Sequence, residues 1–319
     1  MPVQIFDFKP FFTSITSITC FQHIIAKMEL TISGYSTALF STWYFVEELG
    51  LLFDAGDGVI SQLLQKSRKI KFVFISHADR DHLTGLLQLN QLNARPGFPR
   101  IYYPKDSRSI TSFETFSKQF DRQVQATEWL PMEQSEEIEI KKDILVTSVK
   151  NSHVVSPDSI AKSFGYLVQL KKKKLKQEFL HLTQKEIIQL KKELGENELT
   201  YEMRENILGY SGDTPVENFH IWDNTRILIH EATFLNRNEF TDDDPRSNKH
   251  SVLEEVIKAA TAINIDTLIF GHFSSRYTNE EIDNCIKQCC KNYNVKFSIF
   301  RILPGQYISD ILSTPPVNC

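Results

Sequence analysis

One hexapeptide constrains this chain more than any other part of it. The sequence HADRDH at residues 77–82 follows a continuous apolar run, FVFI, which is typical of a strand buried on both faces, and it precedes leucines at helical spacing. Its four potential metal ligands are His77, Asp79, Asp81 and His82. Alternate side chains of an extended segment point the same way, so the first two can share an ion and the last two can face a second. A polar helix cap, with Asp81 at the positive end of the helix dipole, is the alternative interpretation.

Histidine and aspartate also follow other predicted strands. His153 comes after an apolar run at residues 144–149, and His272 comes after one at residues 267–270. Asp213 lies in a tight turn within GYSGDT. Because rigid strands aim the loop residues at their ends, sites in layered α/β folds collect there. Each residue alone is more often structural, but together they indicate one metal site, for which zinc is the first choice and manganese or iron are alternatives.

Composition is that of an ordinary globular protein with a substantial core, since the 319 residues are 41% hydrophobic and 24% charged. The formal net charge of −4 gives no general attraction to nucleic acid, so binding of a polyanion would need a local basic patch. Four consecutive lysines at residues 171–174 are one candidate, and a solvated charged face is the simpler interpretation. They belong to a segment around residues 170–206 that we predict to be a charged helical insertion in a single domain, residues 28–319.

The first 27 residues differ from the rest, and we predict that residues 1–27 are an extension outside the main fold. Residues 10–26 contain no Lys, Arg, Asp or Glu, yet they are broken by polar side chains and are too polar to span a bilayer. They also lack the basic start and the cleavage site of a secretory signal. The five cysteines form no disulfide framework. We therefore expect a cytoplasmic protein with reduced thiols and no membrane contact.

Four motifs together resemble those of a known family. HADRDHLTG, SGDT, HEATF and HFSSRY occur in this order and are similar to motifs of ribonuclease Z, the tRNA 3′-processing endonuclease branch of the metallo-β-lactamase superfamily. The resemblance covers roughly residues 30–303. It implies an α/β fold, the metallo-β-lactamase αβ/βα four-layer sandwich, in which two mixed β-sheets face each other between helices. It also implies two divalent metal ions at one edge of the sandwich and, as is common in this branch, a homodimer.

The resemblance assigns roles to individual residues. Two sets of ligands and one bridging carboxylate would hold the ions: His77, Asp79 and His153; Asp81, His82 and His272; and Asp213 between them. Asp81 would also touch the attacking water. His250 would donate a proton to the leaving oxygen, and Glu231 of HEATF would orient His250. Arg276 in HFSSRY is a candidate for steadying a phosphate, with a structural salt bridge as an equal alternative.

The chain departs from the family pattern at three places. Asp79 stands where the family has a histidine, and this harder ligand should weaken the Lewis acidity of its ion and favour manganese or iron. The glycine-rich turn near the N-terminus is missing, and GYST at residues 34–37 is its nearest remnant. The protruding tRNA-binding arm of the family has no clear counterpart, because the segment before Asp213 is lysine-rich rather than glycine- and proline-rich.

These features predict a metal-dependent phosphodiesterase. A divalent ion lowers the pKa of water from about 16 to about 7, and a pair of ions can clamp a phosphate. We therefore expect an endonuclease whose substrate is RNA and which cleaves near the 3′ ends of tRNA precursors. One alternative is hydrolysis of a small phosphodiester such as a cyclic nucleotide, favoured by the missing arm and the acidic charge. The other is a non-catalytic relative that holds metal weakly.

Overall fold

The protein is built from two mixed β-sheets. The computed structural model of the protein describes residues 28–239 and 249–318, so the predicted extension at residues 1–27 lies outside the described residues. Within the described ranges the strands are β1 (Ile32–Thr37), β2 (Ser41–Val46), β3 (Leu51–Phe53), β4 (Phe72–Phe74), β5 (Arg100–Pro104), β6 (Glu128–Met132), β7 (Glu137–Lys141), β8 (Ile144–Lys150), β9 (Phe164–Leu175), β10 (Thr200–Tyr210), β11 (Thr225–Glu231), β12 (Ile265–Gly271), β13 (Ser298–Arg301) and β14 (Tyr307–Ile308). The first sheet has the order β14-β1-β2-β3-β4-β5-β6, and the second has the order β13-β12-β11-β10-β9-β8-β7.

Each sheet is half antiparallel and half parallel. In the first sheet β14, β1, β2 and β3 pair antiparallel, and β3 to β6 pair parallel. In the second sheet β7 to β10 pair antiparallel, and β10 to β13 pair parallel. Parallel neighbours end at the same edge of a sheet, so the loops that follow β4 and β5 lie side by side, as do those after β11 and β12.

An aromatic layer joins the two sheets face to face. Phe53 of β3 stacks on Tyr210 of β10, with ring centroids 5.0 Å apart. Phe74 of β4 meets the edge of Tyr166 of β9 at 5.1 Å, and the Tyr166 hydroxyl donates a 2.6 Å hydrogen bond to the backbone oxygen of Ile75. All four rings are fully or almost fully buried, so this layer is the central core of the molecule.

Helices cover the outer face of each sheet. The α-helices of the described residues are α1 (Val59–Leu63), α2 (Arg80–Leu83), α3 (Leu86–Asn93), α4 (Arg108–Phe120), α5 (Gln184–Leu194), α6 (Glu196–Leu199), α7 (Leu253–Ala260) and α8 (Asn279–Tyr293), of which α5 and α6 lie apart from the sheet faces. Outside the first sheet, Leu86 of α3 and Ile110 of α4 belong to one buried cluster with Val73 of β4. Outside the second, Val256 of α7 and Ile286 of α8 belong to another buried cluster. The predicted four-layer αβ/βα sandwich is thereby confirmed.

The segment around residues 170–206 corrects the prediction of a helical insertion. The four lysines lie in β9, which pairs with β10 in register as an antiparallel hairpin beyond the rest of the sheet. Helical turns occur at the tip of the hairpin, in a short 3-10 turn (Gln177–Phe179), α5 and the short α6, and α5 has no buried residue. Lys172 pairs with Glu205 on β10, and Lys173 lies 3.1 Å from Glu196. Acidic partners on the opposite strand allow a lysine run to continue a sheet, and this pairing is invisible in the local sequence.

The hairpin also changes the expectation about the arm. It extends from the sheet as two paired strands with a helical tip, so a protruding element does occupy the segment before Asp213.

The described residues contain no helix that combines the length and apolarity needed to cross a bilayer. Cys285, Cys289 and Cys290 carry free thiols.

Candidate metal centre

Imidazole and carboxylate side chains converge at the edge where the strands of both sheets end. In the first sheet, β4 leads into residues 77–82. In the second, β8 precedes His153, β10 precedes Asp213 and β12 precedes His272. The candidate ligands thus come from both halves of the sandwich, and their position depends on how the two sheets face each other.

His77, Asp79 and His153 form the first group of potential ligands. Oδ2 of Asp79 lies 3.6 Å from Nε2 of His77 and 3.4 Å from Nε2 of His153. Both histidines are buried, whereas the Asp79 side chain is 61% exposed. The neighbouring rings of His153 and then His77 hold the pKa of Asp79 well below its usual value, so the carboxylate is charged. Burial lowers the pKa of His77, which favours the neutral ring that binds metals.

Asp81, His82 and His272 form the second group. Oδ2 of Asp81 lies 3.5 Å from Nε2 of His82 and 3.4 Å from Nε2 of His272. The same oxygen accepts a 3.0 Å hydrogen bond from the backbone N–H of Leu39, in the turn between β1 and β2. Burial opposes ionisation of Asp81, but the two histidines outweigh it and hold its pKa well below the usual value. The Asp81 carboxylate is therefore charged, and it is held between the Leu39 N–H and the two imidazole rings.

Asp213 lies between the two groups. Its Oδ2 is 3.1 Å from Nε2 of His272, 3.3 Å from Nε2 of His82 and 3.8 Å from Nε2 of His77. The carboxylate is buried, and although burial opposes its charge, the histidines around it hold its pKa well below the usual value. One oxygen of Asp213 thus faces rings from both groups.

A glycine is required to place Asp213. Gly212 has a φ of +60°, in the left-handed region, and a Cβ there would come within 2.7 Å of the backbone oxygen of Phe164. The turn therefore passes close against β9, and it delivers the next side chain into the centre.

In each of the four candidate ligand histidines, Nδ1, the outer ring nitrogen that points away from the centre, has a hydrogen-bond partner. Nδ1 of His77 lies 2.9 Å from the Ser76 hydroxyl, and Nδ1 of His82 lies 2.7 Å from Oδ2 of Asp54. The corresponding contacts for the other two rings are Nδ1 of His153 to the backbone oxygen of Lys249, 3.1 Å, and Nδ1 of His272 to the Thr233 hydroxyl, 2.8 Å. Such contacts orient a ring so that Nε2 points at a metal.

The donor set fits divalent metal ions. The ligand atoms of each group lie within 4.8 Å of one another. Nε2 of His77 is fully buried and has no hydrogen-bond partner in the part of the chain that the structure describes, although burial of such an atom is costly without one. The centre brings together four imidazoles and three carboxylates. Neutral imidazole and carboxylate are the ligands that zinc, manganese and iron accept.

Asp54 supports this centre from inside the sandwich. Its buried carboxylate accepts hydrogen bonds from the backbone N–H and the hydroxyl of Ser76, at 2.7 and 2.8 Å. It also meets His82 and the hydroxyl of Tyr210. Asp54 therefore helps to orient His82 and, through Ser76, His77. Asp57, three residues further along, is exposed.

His250 and Glu231 lie beside the ligands as a pair. Nδ1 of His250 is 3.0 Å from Oε1 of Glu231, and the ring stacks on His272 with centroids 5.4 Å apart. Glu231 is buried and is held by the backbone N–H groups of Thr214 and Thr233, at 2.9 and 3.0 Å. Burial opposes a charge on His250, but the Glu231 carboxylate outweighs it and raises the pKa of His250 to about 9. The ring therefore carries a proton at neutral pH.

Known proteins share both the sequence and the architecture. Residues 50–273 match the family described as beta-lactamase superfamily domain. A chloroplastic tRNase Z of Arabidopsis thaliana is 30% identical over 268 residues, which cover 80% of this chain and 70% of that protein. A ribonuclease Z of Methanocaldococcus jannaschii is 28% identical over 276 residues, covering 78% of this chain and 84% of its own.

This chain belongs to the ribonuclease Z family of the metallo-β-lactamase superfamily. Its fold is also that of the metallo-β-lactamase fold protein YhfI from Bacillus subtilis, with a TM-score of 0.58 at 15% identity, covering 88% of this chain and 99% of that one. This fold family implies divalent metal ions, which agrees with the donor set described above.

Two residues of the family motifs lie outside the cluster of ligands. Arg276 forms a 2.9 Å ion pair with Glu239 and lies over the rings of Phe234 and Tyr277. The structural salt bridge, one of the two alternatives for this arginine, is therefore present. His230 is buried, and its Nδ1 lies 2.8 Å from the backbone oxygen of Glu231, so its ring contacts the backbone of its own motif.

Thr233 is a residue of the site that the sequence did not single out. Its hydroxyl lies 2.6 Å from Oε2 of Glu231, 2.8 Å from Nδ1 of His272 and 3.3 Å from Nδ1 of His250. It thereby connects a candidate ligand to the His250–Glu231 pair. Its place two residues after Glu231 in HEATF was the available signal, but a threonine hydroxyl has no metal chemistry that would have drawn attention to it.

Proposed function

We propose that the protein is a ribonuclease Z-like endonuclease that uses two divalent metal ions, zinc first among them, to cleave RNA at the 3′ ends of tRNA precursors. One observation carries the proposal: the Asp213 carboxylate lies between two groups of ligands, with the His250–Glu231 pair beside it. The relatives named tRNase Z and ribonuclease Z support the substrate class.

The ligand sets follow from the two groups. His77, Asp79 and His153 would hold one ion, Asp81, His82 and His272 the other, and Asp213 would be shared. When bound, such ions lower the pKa of water towards neutrality and offset charge on phosphoryl oxygens. The protein holds the donors in place beforehand, because each imidazole is fixed through its outer nitrogen.

Asp81 is the residue proposed to orient the attacking water. Its carboxylate is charged and mostly buried, and one of its oxygens is fixed by Leu39, His82 and His272. A carboxylate held in this way accepts a hydrogen bond from water and aligns it for attack on phosphorus. Asp81 accordingly has two roles, as a ligand and as a hydrogen-bond acceptor.

His250 is the residue proposed to protonate the leaving oxygen. Its Nδ1 is engaged by Glu231, so Nε2 is the atom available to donate. The side chain is 18% exposed, which allows a substrate to reach it. Cleavage of an RNA chain releases a ribose alkoxide that needs a proton, and a positioned imidazolium supplies one.

Substitution of Asp81 tests the proposal. Purified wild-type protein with zinc or manganese is expected to cleave a tRNA precursor at its 3′ end and to hydrolyse bis(p-nitrophenyl) phosphate. Asp81→Ala is expected to reduce both rates more than about a hundredfold, since loss of even an outer partner of a metal ligand costs about 10- to 100-fold.

The exposed Asp57 of the neighbouring turn offers a matched control, and Asp57→Ala is expected to retain both activities. Hydrolysis of the small diester, or of a cyclic nucleotide, without cleavage of the precursor would refute the RNA substrate. An active Asp81→Ala protein would refute the role of Asp81.

A further inference from the structure

A cavity of about 720 Å³ opens directly beside the metal centre. Asp79, a member of the first ligand group, forms part of its wall together with Ala78. Further walls come from the segment between β5 and α4 and from the loop between β8 and β9. These two segments hold each other, because the backbone N–H of Ala161 donates a 2.7 Å hydrogen bond to Oδ2 of Asp106, and the Asp106 N–H returns one of 3.0 Å to the Ala161 oxygen.

Basic side chains line this cavity. Lys105, Arg108 and Lys162 are all exposed on its walls. Lys105 lies 2.9 Å from Glu133, whose side chain is itself 69% exposed. Across residues 28–239 and 249–318, Arg108 and Lys162 have no ion-pair or hydrogen-bond partner for their side chains. The cavity therefore holds two cations that have no counterion among the described residues, next to a candidate ligand.

The acidic residues of the cavity do not cancel this charge. Asp106 is engaged by the backbone of Ala161, and Asp79 faces His77 and His153. The first turn of α4 lines the cavity as well, and the positive end of its helix dipole adds to the charge of the side chains. In a chain with a net charge of −4, this is a local basic patch of the kind that binding of a polyanion requires.

Lys172 and Lys173 of β9 are poorer candidates for the same task. Lys172 is paired with Glu205, and Lys173 lies 3.1 Å from Glu196. Cations that already have carboxylate partners gain little by exchanging them for phosphates, whereas unpaired cations on a cavity wall do not lose a partner on binding.

The chemistry of the lining indicates which part of a nucleic acid fits. No aromatic side chain is among the described residues that line the cavity, so a base has no ring to stack on. Exposed guanidinium and ammonium groups contact phosphate oxygens, and such contacts position a strand without reading its sequence.

We propose that this cavity is a subsite in which Arg108, Lys162 and Lys105 hold the phosphate backbone of the RNA substrate on one side of the cleaved bond. The inference rests on the proposed function and adds to it the surface by which an acidic protein retains a polyanion. Arg108 and Lys162 are positioning residues, since they act on the bound strand and not on the reacting atoms.

A double substitution tests the subsite. Arg108→Ala with Lys162→Ala is compared with Lys258→Ala and Lys287→Ala, exposed lysines on α7 and α8 that serve as the control. Three quantities are measured for each: kcat/KM for the tRNA precursor across a range of salt concentrations, the Kd of the precursor in an Asp81→Ala background, and hydrolysis of bis(p-nitrophenyl) phosphate.

The subsite predicts a specific pattern. The double variant should bind the precursor at least roughly tenfold more weakly at low salt, and the slope of log affinity against log salt should fall by about 1.5, from two lost phosphate contacts. Hydrolysis of the small diester should stay within about twofold of the wild-type rate, because that substrate has a single phosphate and no flanking strand for the subsite to hold.

The other possible outcomes distinguish failure of the subsite from failure of the proposed function. If the wild type cleaves the precursor and the double variant binds and cleaves it like the control, the subsite is refuted and the function stands. If the wild type does not cleave the precursor, the proposed function fails, and the Kd series still decides the subsite: an unchanged salt slope overturns it, and a reduced slope supports it. Equal loss of small-diester hydrolysis would show damage to the metal centre and overturn the positioning role.

Discussion

At the scale of single residues, the centre depends on atoms that are held before any ligand arrives. Asp54 alone fixes Ser76 and His82, and Thr233 connects His272 to Glu231. Pre-organisation of this kind lowers the cost of assembling a site, because the side chains do not have to be ordered on binding. The chemistry of the site is therefore sensitive to which atom occupies each position.

Asp79→His tests how the unusual ligand tunes the metal. Imidazole suits zinc better than carboxylate does, so we expect the ratio of zinc affinity to manganese affinity to rise and zinc-supported hydrolysis to be retained or raised. Competition with a metal-binding dye for each ion measures the affinities. Asp57→His adds the same ring on an exposed neighbouring turn and should leave the ratio unchanged. An unchanged ratio in Asp79→His would exclude Asp79 as a ligand.

His250→Ala tests the proton donor through the leaving group. Cleavage of RNA expels an alkoxide that must be protonated, whereas p-nitrophenolate leaves as a stable anion. We expect kcat for the tRNA precursor to fall by about 10²–10⁴-fold, and hydrolysis of bis(p-nitrophenyl) phosphate to fall far less. His220→Ala, at an exposed histidine, is the control. Equal losses on both substrates would contradict proton donation by His250.

At the scale of elements, the β9–β10 hairpin is the part of the fold that does least for the core. Its strands are buried where they face the first sheet and become exposed towards the tip, and α5 has no buried residue. A projecting element that contributes little to stability is available for contact with a large substrate. This fits a macromolecular substrate better than a small diester.

Shortening the hairpin tests that role. The backbone N–H of Lys176 donates to the oxygen of Leu199, so an Asn-Gly turn can replace residues 177–198 between them. We expect the melting temperature and the hydrolysis of bis(p-nitrophenyl) phosphate to change little. In contrast, kcat/KM for the tRNA precursor should fall roughly tenfold or more, because the protein loses contacts to the phosphate backbone of the RNA. Unaltered cleavage of the precursor would show that the hairpin takes no part in binding RNA.

At the scale of the whole molecule, the metal centre joins the two halves of the sandwich. His77, Asp81 and His82 follow a strand of the first sheet, whereas Asp213 and His272 follow strands of the second. Ions bound by both sets would hold the sheets together in the native state and find no such set of donors in the unfolded chain. Metal binding is therefore expected to stabilise the entire fold.

Removal of metal by a chelator should accordingly lower the melting temperature. Free metal at about 100 times its Kd stabilises a protein by roughly 2.7 kcal/mol, which for a domain of this size corresponds to a shift of about 5 °C or more. Differential scanning calorimetry before and after dialysis against EDTA measures the shift, and added zinc or manganese should restore it. The Asp213→Asn protein should show a smaller shift than the wild type, and an equal shift would place the stabilising ions elsewhere.

Much of the candidate site was predictable from the sequence because its chemistry is local. HADRDH places four potential ligands after a buried strand, SGDT and HFSSRY each follow a strand of their own, and HEATF begins at the end of one. Strands aim the residues at their ends, so a pattern of His and Asp after apolar runs already indicates convergence. The structure brings the side chains of the two groups and of Asp213 together, and their roles as ligands stay a prediction.

Other features depended on pairs of residues far apart in the chain, and only the tertiary structure could decide them. The lysines of β9 read locally as part of a helical insertion, but they extend a sheet because β10 supplies their backbone hydrogen bonds and, for Lys172, the carboxylate of Glu205. Arg276 lies against Glu239, and the cavity beside Asp79 is closed by segments around Arg108 and Lys162. The sequence by itself determined which chemical groups stand at the ends of strands; which cations remain unpaired depends on which distant carboxylates the fold brings within reach, and this is a property of the folded chain.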